Sequence, residues 1–154
     1  MTIQLTSAAF PSGGRIPKRH TCEADDLSPP LAWEGAPPRT KAFVLLCDDP
    51  DAPGKTWVHW VLYDLPGETR SLVEGIPAMD SLPSGGKQGR NDFGKIGYGG
   101  PCPPRGHGTH RYSFRIHALD EPLRVPSGAK KAEIERAMAG HVLAQGELVG
   151  TYSR

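Results

Sequence analysis

The sequence predicts a mainly β fold with one late helix, and three observations carry that reading. Two strand-length apolar runs, residues 41–47 and 57–63, are each bounded by turn residues. A third run, residues 112–118, sets mostly apolar even positions against polar odd ones, a two-residue period. One stretch alone, between Ser127 and Gly146, carries an apolar stripe at helical spacing. The chain holds 19 Gly and 16 Pro in 154 residues, a turn-rich composition that the apolar runs keep from reading as low complexity. Its length suits one domain, residues 1–154, and no repeat or charge block divides it.

Taken in order, residues 3–6 and 31–33 suit short strands. Residues 41–47 are apolar on both faces, the pattern of a central strand buried on both sides, and residues 57–63 read the same way. From 64 to 108 Gly, Pro, Ser and Asp dominate; ordered loops of that length usually carry function. Residues 112–118 turn one face to the core and one to water. In the helix, Ser127 is the cap, Ile134, Ala137, Met138, His141 and Val142 form the stripe, and Gly146 suits the end. Gly140 inside it costs about 1 kcal/mol relative to Ala. Residues 147–152 suit a closing strand.

The charge balance, 18 basic against 17 acidic residues, gives no field to hold nucleic acid and no polybasic run to hold a membrane. The first residues lack the basic and apolar regions of a signal peptide, and no run is long enough to span a bilayer, so a cytoplasmic protein is expected. Cys22, Cys47 and Cys102 are odd in number and widely spaced, which reads as three free thiols.

Polar residues cluster where the apolar runs end. Asp49 precedes Pro50 and is therefore biased to extended backbone, while Pro50 and Pro53 stiffen the turn around Asp51. These carboxylates either cap the turn by accepting backbone N–H groups or face a ligand. His59 is expected to share a buried face with Trp57, Val61 and Tyr63, as a neutral core histidine or as one held charged by an anionic partner. His110 and Tyr112 project to the side that carries Phe114 and Ile116, and Arg111 points away into solvent. The 99–108 loop has glycines that let main-chain N–H groups approach an anion and prolines that fix its path. It is no phosphate-binding NTPase loop, because the Lys-Ser/Thr ending is missing and no helix follows.

In order, Leu27-Ser28-Pro29-Pro30-Leu31 with Trp33, Asp49-Pro50-Asp51-Ala52-Pro53, His59-Trp60, Asn91-Asp92-Phe93-Gly94, Gly100-Pro101-Cys102-Pro103-Pro104, His110-Arg111-Tyr112 and Gly150-Thr151-Tyr152-Ser153-Arg154 form a specific series. On them the chain resembles the phosphatidylethanolamine-binding protein family, in particular its bacterial and archaeal branch of Raf-kinase-inhibitor-like proteins. The resemblance implies a large antiparallel sheet packed against a smaller one, with peripheral helices. It also implies a shallow pocket for phosphate-like or acetate-like groups, lined here by Asp49, His59, Gly100, Pro101, His110 and Tyr112, with Asp51 and Trp57 in support.

The function expected from this is non-enzymatic: a regulatory protein that binds a small phosphorylated or carboxylated ligand, with a kinase or protease as the partner it inhibits. A homodimer is expected, and no cofactor, metal or catalytic residue. Protonated His59 or His110, backbone N–H groups of the Gly100 loop and the Tyr112 hydroxyl would donate. Asp49 would raise the pKa of its histidine or accept from a protonated phosphate oxygen. The alternative is a hydrolase or metalloenzyme in which Asp49, His59 and His110 hold an ion or act as acid and base. Against it, the sequence has no nucleophile elbow and no H-E-x-x-H helix, and Ser113 points to the opposite face. A third reading, thiol sensing through Cys102, has less behind it.

Overall fold

Antiparallel pairing organises the chain into two sheets in a computed structural model that describes residues 2–154. The larger is centred on β3 (Ala42–Asp49), flanked by β4 (Trp57–Pro66) and β7 (His110–Leu119). The short β6 (Lys87–Gln88) and long β8 (Val142–Tyr152) complete it, in the order β6-β4-β3-β7-β8. The smaller sheet runs β1-β2-β5, from Gln4–Thr6, Leu31–Glu34 and Ser71–Leu72. One α-helix, α1, spans Lys131–Met138.

Both faces of β3 are buried because a different layer covers each. Phe43, Leu45 and Cys47 join Trp60 and Phe114 in packing on Trp33 and Leu5 of the small sheet. Val44 and Leu46 join Val61 and Tyr63 in packing on Ile134 and Met138 of α1. That is the physical cause of the unbroken apolar run. The outer edge of β8 is covered by the N-terminal segment, whose Ile3, Gly13 and Ile16 N–H groups donate to Gln145, Val149 and Thr151 carbonyls at 2.7 to 2.9 Å.

Three expectations need correction. The alternation in β7 does not mark a wet face: Ser113 and His117 are buried on the helix side, and among its polar positions Arg111 alone is exposed. The helix neither starts at Ser127 nor continues through Val142. Its first turn is closed by the Glu133 carboxylate accepting the Lys130 N–H at 3.3 Å. Gly140, at φ 85°, turns the chain back, and Val142 starts β8. The cysteines are not three free thiols: Cys22 and Cys102, 80 residues apart, form a disulfide with Cα atoms 5.4 Å apart, and Cys47 alone is free and buried. Both bridged residues sit in loops that fold over one end of the large sheet, a meeting that sequence spacing does not encode.

Candidate functional site

Antiparallel order brings the end of β3 and the starts of β4 and β7 to one end of the sheet, so Asp49, Trp57, His59, His110 and Tyr112 converge there. His59 arrives by a β-bulge. Cys47 pairs with Trp60 and Asp48 with Val58, which leaves His59 as the extra residue on β4. Without the bulge its alternation would send it to the helix side with Val61 and Tyr63, as expected above. With it, the imidazole stands beside Tyr112 and Phe93, ring centroids 5.2 and 5.4 Å away.

These five residues line a cavity of about 250 Å³, together with Phe93 and a rim of prolines and Cys102. Gly100 and Pro101 are not among its lining residues. The Gly100 N–H donates to Asp26 at 2.8 Å, and a Cβ at this position would meet the His20 carbonyl oxygen at 2.2 Å. Glycine is needed there for protein packing, and its N–H is not free for an anion. The Pro101 carbonyl accepts the Cys22 N–H at 3.1 Å. Asp51 supports from outside, its carboxylate taking the Arg111 N–H, Nε and Nη2 at 2.8 to 2.9 Å. Those bonds hold its carboxyl down to about 2, and Arg111 is exposed but not a free charge.

Each Asp49 carboxylate oxygen accepts one hydrogen bond. One oxygen accepts the Asp51 N–H at 2.7 Å, the turn cap, and the other accepts the His110 Nδ1–H at 2.6 Å. His110 is 2% exposed, and its Nε2 lies 2.6 Å from Nδ1 of the exposed His107. His59 donates its Nδ1–H to the Gly99 carbonyl at 2.5 Å, which fixes the tautomer and leaves Nε2 as an acceptor when the ring is neutral. Burial pushes the His59 pKa below the ordinary histidine value, and the attraction of Asp49 does not offset it. The expected rise is therefore reversed for this residue.

Two donors of the cavity have no acceptor within the protein. The Tyr112 hydroxyl is buried without a hydrogen-bond partner, as is the Trp57 indole Nε1. Burial drives the Tyr112 pKa far up, so it remains an O–H donor. Sequence reasoning missed Phe93, His107 and Asp26. Phe93 could have been found through its Asn91-Asp92-Phe93-Gly94 turn, in which the Asn91 amide donates to Gly97 at 2.9 Å and its oxygen accepts the Phe93 N–H at 2.9 Å. Asp49, His59 and His110 do not converge as a facial metal triad. Among the described residues the trio of potential ligands within 4.8 Å of one another is Asp120, Glu121 and His141, at the other end of the β7–β8 ladder.

Residues 6–153 match the family model described as phosphatidylethanolamine-binding protein. A UPF0098 protein of Aquifex aeolicus is 51% identical over 99% of this chain and 89% of its own length. Another from Methanothermobacter thermautotrophicus is 48% identical over 99% of each chain. The crystal structure of Escherichia coli YbcL, described as a new member of the mammalian PEBP family, superposes with a TM-score of 0.92 at 35% identity, covering 100% of this chain and 99% of the other.

Proposed function

The chain belongs to the phosphatidylethanolamine-binding protein family, and from that premise we propose that its pocket binds a small oxyanion, a phosphate monoester or a carboxylate, without turning it over. The observation that carries this reading is the buried, unpartnered Tyr112 hydroxyl, joined in the same cavity by the unpartnered Trp57 Nε1. A buried donor left unsatisfied costs about 1–3 kcal/mol, which an acceptor oxygen in the cavity would recover. Asp49 does not repel such a ligand as an isolated charge would, because His110 and the Asp51 N–H occupy its oxygens.

His59 completes the site through its unused Nε2. In the empty pocket burial disfavours its charged form; a bound anion favours it. A monoprotonated phosphate can instead donate to Nε2. Charging His59 takes up one proton, so on that route affinity rises as pH falls; a phosphate that donates carries its proton in with it. The oxyanion could be presented by a free metabolite, a phospholipid head group, or a phosphorylated or acidic protein segment. Inhibition of a kinase or protease would follow from capture of such a group on the target. The cytoplasmic part of the reading must accommodate the Cys22–Cys102 disulfide, which reducing compartments disfavour. Thiol counting in protein quenched directly from cells tests it, and sedimentation tests the homodimer.

Calorimetric titration with inorganic phosphate, a phosphomonoester and acetate tests the binding. We expect saturable heat, proton uptake in buffers of differing ionisation enthalpy, and about tenfold weaker binding in Tyr112→Phe. Affinity indifferent to that substitution would remove the reading. Release of phosphate from the monoester, followed by ³¹P NMR, would overturn its non-enzymatic half.

A further inference from the structure

We propose that His107 is a latch: it occupies the ligand's place on His110, and filling the pocket displaces it. The inference rests on the oxyanion reading and goes beyond it by assigning a residue that does not line the cavity. His110 does line it, tilted only 24° from the plane of the Tyr112 ring at 6.4 Å. Its Nδ1 is committed to Asp49, so Nε2 is the single atom with which it can bond anything in the pocket. That atom is spent on His107, at 2.6 Å.

The partner is built to leave. Buried walls of the site are held by strands, but His107 is exposed, in a turn between Gly106 and Gly108, which both adopt left-handed backbone with φ of 75° and 97°. The contact to His110 is the one hydrogen bond its side chain makes among the described residues. Its backbone N–H donates to Pro104, and the Gly106 N–H donates to Arg154, so the turn's backbone is held independently of the side chain. With His110 Nδ1–H bonded to the carboxylate, a neutral His110 ring has Nε2 as an acceptor, and the His107 Nδ1–H is placed to satisfy it. A ligand that takes this position must bring a proton of its own, as monoprotonated phosphate does, or find one on Nε2. The empty pocket is thus closed on its His110 side by a contact that competes with the ligand.

The test is titration of wild-type, His107→Ala and His107→Gln protein with inorganic phosphate and with acetate, alongside ¹⁵N NMR of the imidazoles. Loss of one competing neutral hydrogen bond should tighten His107→Ala about threefold to tenfold. His107→Gln, whose amide can donate to Nε2, should stay near wild type. In wild type, phosphate should move the His107 ring signals toward those of a solvent-exposed histidine. Unchanged or weaker binding in His107→Ala, with wild type binding normally, overturns the latch and leaves the pocket reading intact. Absence of binding in wild type removes both. A cooperative melt in each variant, recorded alongside, excludes misfolding as the cause.

Discussion

Asp48 and Asp49 are consecutive residues of β3, 1% and 3% exposed, and the strand turns them to opposite faces. On the helix side Asp48 takes Arg115 and Lys131, each at 2.6 Å, and so ties α1 to the sheet. Beside it Ser113 donates to Glu147. On the other face Asp49 takes a histidine and a turn N–H, and the groups around it, Tyr112 and Trp57, are left with unused donors. A buried carboxylate neutralised by two cations is a tie between elements. One hydrogen-bonded to an imidazole, beside donors with no acceptor in the protein, is the wall that we read as a binding site. The residue type is the same; what differs is the partner set, two cations that tie elements together on one face and a histidine beside a cavity on the other.

The pocket face, with its donors unspent, is held by other means, and reducing the Cys22–Cys102 bridge should show the largest effect. It closes a span of 80 residues, for which chain entropy gives about 4.5 kcal/mol. Urea unfolding with and without a thiol reductant measures it, and non-reducing denaturation should reveal one thiol, Cys47. A loss below about 1 kcal/mol would mean that the loop contacts alone hold this face.

Acid should act next, and mainly on the helix face. His117 is buried there with Nδ1 unpartnered, and burial, reinforced by Arg115, pushes its pKa from 6.5 to about 4. The unfolded chain then binds the proton more readily than the folded one, so the stability is complete above pH 6.5 and is lost as pH falls toward 4. That interval corresponds to about 3 kcal/mol. His117→Leu should flatten the slope in a urea series at stepped pH. His59, also lowered, adds to the loss in the empty pocket, and saturating phosphate should reverse its share.

Asp48→Asn sharpens the comparison directly. It leaves Arg115 and Lys131 facing a neutral group; both are partly exposed, so the usual cost of breaking a buried pair is reduced to about 2–3 kcal/mol. Phosphate affinity should be unchanged. A drop in affinity as large as that in Tyr112→Phe would show that the two faces are coupled through β3.

Much of this was legible in the sequence because period and punctuation are local. β3, β4 and β7 follow from apolar runs, and His110 with Tyr112 from simple alternation. What was hidden depends on pairing. The bulge that aims His59 exists only in the register of β4 against β3. The helix was overextended because Met138, His141 and Val142 keep a helical spacing across Gly140, although the chain has already turned there to pair Val142 with Leu119. Gly100 depends on the fold in a related way. Its composition signals close approach, but only the fold shows that the approaching groups are the His20 carbonyl and Asp26.

Tyr112→Phe carries the smallest stability effect and the most decisive sign. If the hydroxyl were structural, removing it would destabilise the protein by the worth of a hydrogen bond, about 1 kcal/mol. Here there is no bond to lose: the oxygen is buried with no partner, and the ring remains packed with Phe114 and Ile116. Deleting it removes an unsatisfied group, so the ligand-free variant should be as stable as wild type or up to about 1 kcal/mol more stable. Adding phosphate should then invert the order. Wild type gains stability from binding in proportion to the logarithm of ligand over Kd, and the variant, binding about tenfold more weakly, gains about 1.4 kcal/mol less at saturation. Paired melts with and without phosphate therefore separate the two roles in one experiment. A variant less stable than wild type in both conditions, by the same amount, would place Tyr112 with Asp48 as a structural residue and move the site's specificity elsewhere.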